Sequence, residues 1–143
     1  VAVVTFRGDD ATVELPPTRS TVAASRRLED VSTGGRTPLA SGLETARSLI
    51  EREHRRDPSQ RAMLVVLSDG RATSAGGREA AGLAADAFRR RGVAGSIVVD
   101  CESGRVRLGL AGELATRLGA PCLRIEELNA DAVAGVVKAA VIG

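Results

Sequence analysis

The sequence predicts an α/β fold: an open, mostly parallel sheet layered with helices and edged by one antiparallel strand. Three observations carry this. Two short apolar runs, Leu64–Leu67 and Ser96–Val99, lack alternation and are rich in β-branched residues, which reads as strands buried on both faces. Helical patterns alternate with such runs after residue 37, as parallel strands joined by crossovers require. The chain also opens with two short strands around a tight Gly8-Asp9-Asp10 turn, a β-hairpin.

In order, Val1 to Phe6 reads as a strand. Ala11 to Leu15 reads as a half-exposed edge strand, since Ala11, Val13 and Leu15 alternate with Thr12 and Glu14 before Pro16-Pro17 ends it. Ser20 is an N-cap for a helix over about Thr21–Val31, with Val22, Leu28 and Val31 inward. Thr37 as cap and Pro38 at the first helical position open the longest helix, whose buried stripe is Leu39, Leu43, Ala46 and Ile50 and which Asp57-Pro58 stops. A helix over about Arg78–Arg91 presents Leu83, Ala84, Ala87 and Phe88. Its Arg89-Arg90-Arg91 end, before Gly92, reads as cations complementing a helix C-terminus rather than a binding patch. A short helix near Gly112–Leu118, a last strand Cys122–Ile125 and a helix over about Ala130–Val141 complete the chain.

Composition narrows the function. The length of 143 residues suits one domain, 1–143. A net charge of +2, no Trp or Tyr, and only Phe6 and Phe88 give no case for nucleic-acid binding. No apolar stretch approaches the ~20 residues that span a bilayer, and no signal-peptide pattern opens the chain. Cys101 and Cys122 stand apart and read as small buried hydrophobes, so the cytoplasm is the default compartment. His54 lies at the charged end of the longest helix and reads as a solvated surface residue.

Two oxygen-bearing residues stand where ligands bind. Asp69 ends the Leu64–Leu67 run, and in open α/β sheets ligands sit beyond the carboxyl ends of strands; a turn or cap aspartate is the plainer alternative. Thr37 starts a helix after the glycine-rich Gly34-Gly35 loop. Its hydroxyl suits a hard cation such as Mg²⁺, its helix terminus suits an anion, and a simple cap needs neither. No GxxxxGK[ST] or GxGxxG pattern supports nucleotide binding.

Gly34-Gly35-Arg36-Thr37-Pro38-Leu39-Ala40-Ser41-Gly42-Leu43, followed by Leu67-Ser68-Asp69-Gly70-Arg71-Ala72, resembles the von Willebrand factor A (integrin I-like) domain. The resemblance is narrowest to the domain at the C-terminus of magnesium-chelatase D and related cobaltochelatase subunits. Phe6-Arg7-Gly8, Leu15-Pro16-Pro17-Thr18-Arg19-Ser20, Val99-Asp100-Cys101-Glu102-Ser103-Gly104 and Leu108-Gly109-Leu110-Ala111 fit that subfamily. It implies a Rossmann-like sheet with a metal-ion-dependent adhesion site, in which Thr37 and Asp69 contact Mg²⁺ directly or through water. An open coordination position then receives a partner's carboxylate, with Arg36, Ser68, Gly70 and Arg71 facing that partner.

The sequence departs from the family pattern in two ways. Arg36 replaces a loop glycine. The Asp-x-Ser-x-Ser segment, which supplies most of the ligands from a central strand, is absent, and neither Asp9-Asp10 nor Ser68 can replace it. The expectation is therefore an N-terminally truncated domain lacking its first central strand, with an incomplete site and weak or no Mg²⁺ binding. Backbone edges would be unpaired between the first strand and the Leu64 strand, making the piece aggregation-prone unless the gap closes. The resemblance implies a non-catalytic docking role in an ATP-driven chelatase that inserts Mg²⁺ or Co²⁺ into a tetrapyrrole, its partners being an ATPase ring and a large catalytic subunit. The alternatives are a stand-alone module recognising an acidic protein motif and, least favoured, a small doubly wound enzyme, which would need a nucleophile–base pair.

Overall fold

The computed structural model describes residues 1–31, 34–74, 76–129 and 135. Strands β1 (Val3–Arg7) and β2 (Asp10–Leu15) form the antiparallel hairpin, with a register irregularity at Val3/Val4. Helix α1 (Thr21–Glu29) follows, capped as expected by the Ser20 hydroxyl, which accepts the Ala23 N–H at 3.1 Å. Next come α2 (Leu39–Arg56), β3 (Ala62–Ser68), α3 (Gly77–Arg91), β4 (Ala94–Asp100), α4 (Leu110–Leu118) and β5 (Cys122–Arg124). Strands β3, β4 and β5 pair in parallel in that order, and the hairpin forms a separate two-stranded sheet. Left-handed glycines, Gly92 and Gly119, end α3 and α4.

The core lies between the three-stranded sheet and the helices. Val66 and Val98 are register partners, so they share one sheet face, and both join Leu39, Leu43, Phe88 and Leu114 in one apolar cluster. Burial of a side chain as large as Phe88, 1% exposed, contributes about 1.5–3 kcal/mol. The hairpin attaches to α2 through Phe6: a Cβ built on Gly42 would meet the Phe6 ring at 2.7 Å, so glycine there permits the approach.

Several expectations change. β3 is not buried on both faces, since Val65 is 48% and Leu67 55% exposed, whereas their register partners on β4, Ile97 and Val99, are each 2% exposed. β4 has a strand on either side, while β3 pairs among the described residues with β4 alone. The α/β class holds, but among the described residues the antiparallel hairpin forms its own two-stranded sheet, β1 pairing with β2, instead of edging the parallel one. α1 hides only Ala24, leaving Val22 and Leu28 exposed, because this short helix meets little more than the hairpin. Leu83 also faces outward from α3, while Ala84 and Phe88 point in. Cys101 is half-buried and Cys122 exposed, the latter on the short terminal strand β5, so neither is a buried hydrophobe. His54 is half-buried, not solvated, and its enclosed Nδ1 has no hydrogen-bond partner among the described residues. The last strand stops at Arg124, as Ile125–Glu127 forms a 3₁₀ turn. The helix expected near Ala130–Val141 lies outside the described residues.

Candidate functional site

Parallel strands deliver their carboxyl ends to one edge of the sheet, where the backbone leaves its ladder and side chains meet solvent. At the end of β3 the Ser68 hydroxyl, buried, accepts the Gly70 N–H at 3.0 Å, and the Asp69 carboxylate accepts the Arg71 N–H at 2.9 Å. Asp69 thus folds its own turn, the plainer role open to it, yet its side chain stays 36% exposed. The Arg71 guanidinium stands 3.4 Å from its other oxygen, an ion pair that water screens. Gly70 has φ +77°, and a Cβ there would lie 2.3 Å from the Ala111 N atom, so the turn rests directly on the start of α4.

Thr37 reaches this edge by its backbone. Its N–H donates to the Thr73 hydroxyl at 2.8 Å, and its carbonyl accepts the Thr73 N–H at 3.2 Å. This pairing displaces the expected cap: α2 begins at Leu39, Pro38 occupies the cap position, and no side chain caps the helix. The Thr37 side chain remains partly exposed. Thr37 and the Asp69–Arg71 turn are therefore held in one loop cluster, through the segment between Arg71 and Thr73. Arg36 turns away from it. Its carbonyl accepts the Gly8 N–H at 3.0 Å and its guanidinium lies 3.4 Å from Asp9 in the hairpin turn, both side chains well exposed.

The end of β4 is built differently. Asp100, register partner of Ser68, accepts the Glu102 N–H at 2.8 Å and pairs with Arg107 at 2.8 Å. Desolvation pushes the Asp100 carboxyl up, but the Glu102 N–H, the Arg107 hydrogen bond and the charges of Arg107 and Arg124 outweigh it and hold the pKa below its ordinary value. Glu102, 3% exposed, accepts the N–H groups of Leu108 at 2.7 Å and Gly109 at 3.2 Å, pinning residues 103–109 to the start of α4. An open cleft of about 650 Å³ beside Asp100 and Arg107 is also lined by Cys122, Arg124 and Glu127. Desolvation is the largest influence on the half-buried Cys101 thiol, with the charges of Asp100 and Asp69 behind it, and they raise its pKa above the ordinary value, away from nucleophilic thiolate character.

Sequence reasoning missed Thr73 and Glu102. The signal for Glu102 was present, because Asp100-Cys101-Glu102 follows a strand just as Ser68-Asp69-Gly70 does. Among the described residues no group of three or more His, Cys, Asp or Glu is placed to hold a metal ion. Mg²⁺ takes six oxygens in near-octahedral geometry, and Thr37 with Asp69, whose carboxylate is partly engaged by Arg71, supplies too few of them for a complete site between them. No helix of the described residues is long and apolar enough to cross a membrane.

Residues 1–71 match the von Willebrand factor type A domain family. The chain is 51% identical over 144 residues to an uncharacterized protein of Mycobacterium tuberculosis, an alignment covering 96% of this chain and 22% of that protein. It is 34% identical over 146 residues to the magnesium-chelatase 60 kDa subunit of Cereibacter sphaeroides, covering 98% of this chain and 26% of the subunit. The chain thus spans about a quarter or less of the length of either relative. Among solved structures, BatB from Bacteroides thetaiotaomicron superposes with a TM-score of 0.69 at 20% identity, over 99% of this chain and 79% of that one, which speaks to the fold alone. The chain belongs to the von Willebrand factor type A family, to the type carried by magnesium-chelatase subunits.

Proposed function

We propose that this domain is a non-catalytic docking module of a metal-chelatase assembly. Its contact face is the loop cluster of Thr37 and Ser68–Arg71, and it meets the ATPase ring and the large catalytic subunit. The observation that carries this reading is the half-exposed Asp69 carboxylate at the end of a parallel strand, clasped through Thr73 to the partly exposed Thr37. A half-screened carboxylate beside an exposed guanidinium can exchange its intramolecular pair for a partner's charge at little cost. The one histidine lies on α2, far along the helix from Thr37, and its Nδ1 has no hydrogen-bond partner among the described residues.

Co-elution of the full-length protein with the ATPase and large subunits of its own organism's chelatase tests the assignment. We expect co-elution that Asp69→Ala and Arg71→Glu each weaken by at least tenfold in Kd. No co-elution with either subunit would overturn the chelatase reading and leave the module that recognises an acidic protein motif.

The same reading holds that Thr37 and Asp69 are two of the six ligands Mg²⁺ requires, so this chain alone binds the ion weakly. About 20 mM Mg²⁺ should raise the melting temperature of the 143-residue chain by less than ~2 °C, a few tenths of a kcal/mol for a domain this size. A larger rise, abolished by Asp69→Ala, would refute the incomplete site.

A further inference from the structure

The opposite edge of the sheet has a different character. Strands β3 and β4 begin there, and the crossover helices α2 and α3 end there, so the topology collects their last turns. An ion pair fixes the meeting: Arg91, at the end of α3, stands 3.3 Å from Glu51 on α2. Residues 51–61 and 89–91 carry seven arginines against three carboxylates, a net +4. The whole chain is +2, so everything else sums to −2 and the molecule is electrically polarised.

Helix ends do not require this much charge. A helix C-terminus presents about half a negative charge, which one or two cations satisfy. The acids on this edge are also oversubscribed. Glu53 is shared by Arg52 and Arg56 at 3.9 and 3.3 Å, and Glu51 by Arg47 and Arg91 at 2.9 and 3.3 Å. Arg55, Arg89 and Arg90 are exposed and have no carboxylate within ion-pair distance among the described residues.

We infer that this edge is a second docking surface, whose partner is an acidic polypeptide segment rich in Asp and Glu. The cations are guanidinium forks, which match carboxylates with two parallel hydrogen bonds, and none is lysine. The chain has no Trp or Tyr, Phe88 is 1% exposed, Phe6 is packed on Gly42 and the His54 imidazole is half-buried, so no fully exposed ring stands here to stack on nucleic-acid bases. The surface lies at the far end of the sheet from Asp69, which gives the domain two contact faces of different charge.

Anisotropy of a fluorescent deca-glutamate peptide, titrated with the full-length protein, tests this. We expect saturable binding that weakens about tenfold between about 50 and about 200 mM NaCl, as screening shortens from ~14 to ~7 Å. Arg55→Glu/Arg90→Glu should weaken it at least tenfold, and the milder Arg55→Gln/Arg90→Gln by less. Arg7→Glu/Arg105→Glu, an equal charge change at the other end, should leave it within twofold. No saturable binding, equal loss in both charge-reversed pairs, or tighter binding of a short DNA duplex than of the peptide would each overturn the inference.

Discussion

β3 and β4 are adjacent, parallel, and of similar composition, yet they end in opposite ways. The Asp69 carboxylate after β3 is half-exposed and holds one N–H and one screened guanidinium. The carboxylates after β4, Asp100 and Glu102, are 8% and 3% exposed and between them hold three backbone N–H groups and Arg107. The strands repeat the contrast, with β4 covered on both faces and β3 open on one. An acid at a strand end is therefore not a site by position alone. What separates the two is how many internal donors have already claimed the carboxylate: at Asp100 and Glu102 they have, and at Asp69 there is capacity left for a ligand.

The strand contrast gives the largest expected effect. Ile97→Ala should cost about 2–5 kcal/mol in urea unfolding, as truncation of a buried isoleucine does, and Leu67→Ala less than about 1 kcal/mol. Similar losses at both positions would mean that β3 is covered in solution. At the strand ends, Glu102→Ala empties a buried position and takes the acceptor from two part-buried N–H groups, and should cost about 1–3 kcal/mol, while Asp69→Ala should stay within about 0.5 kcal/mol. A larger loss at Asp69 would make it a structural aspartate and end its candidacy.

The smallest effect is the pH response. The folded pKa of Asp100 lies below its ordinary 3.8, so its stabilisation is present above that value and is lost as pH falls through the lower folded value. Asp100→Asn should accordingly flatten the fall of the urea midpoint in that acid window. A wild-type slope in the variant would show that other carboxylates carry it.

Local rules made much of this legible. Ser20 caps α1, glycines close α3 and α4, and the Gly8-Asp9 turn joins a hairpin, because each depends on residues near in sequence. Burial was less legible. The apolar run of β3 is as hydrophobic as a doubly covered strand, but covering belongs to whatever packs against it, and Val65 and Leu67 lack it. Thr37 looked like a cap until Thr73, far along the chain, claimed its backbone. Glu102 was marked by its place after a strand but not as internal, because the N–H donors it accepts come six and seven residues later and become neighbours only when the loop folds back. That residue 69 stands where a strand leaves the sheet was readable, because an apolar run ending in Ser-Asp-Gly marks that point locally.

The Thr37–Thr73 clasp also constrains how this surface can change by mutation. Two loops from opposite sides of β3 are stitched by a hydroxyl and a pair of main-chain groups, so neither can be redrawn alone. A replacement for Thr73 must bring a side-chain oxygen, as serine would, to receive the Thr37 amide, whereas the clasp uses position 37 through its backbone and leaves its hydroxyl to the surface. Variation in what the surface recognises would thus accumulate at exposed neighbours such as Arg36 and Arg71, while residue 73 keeps its acceptor beneath them.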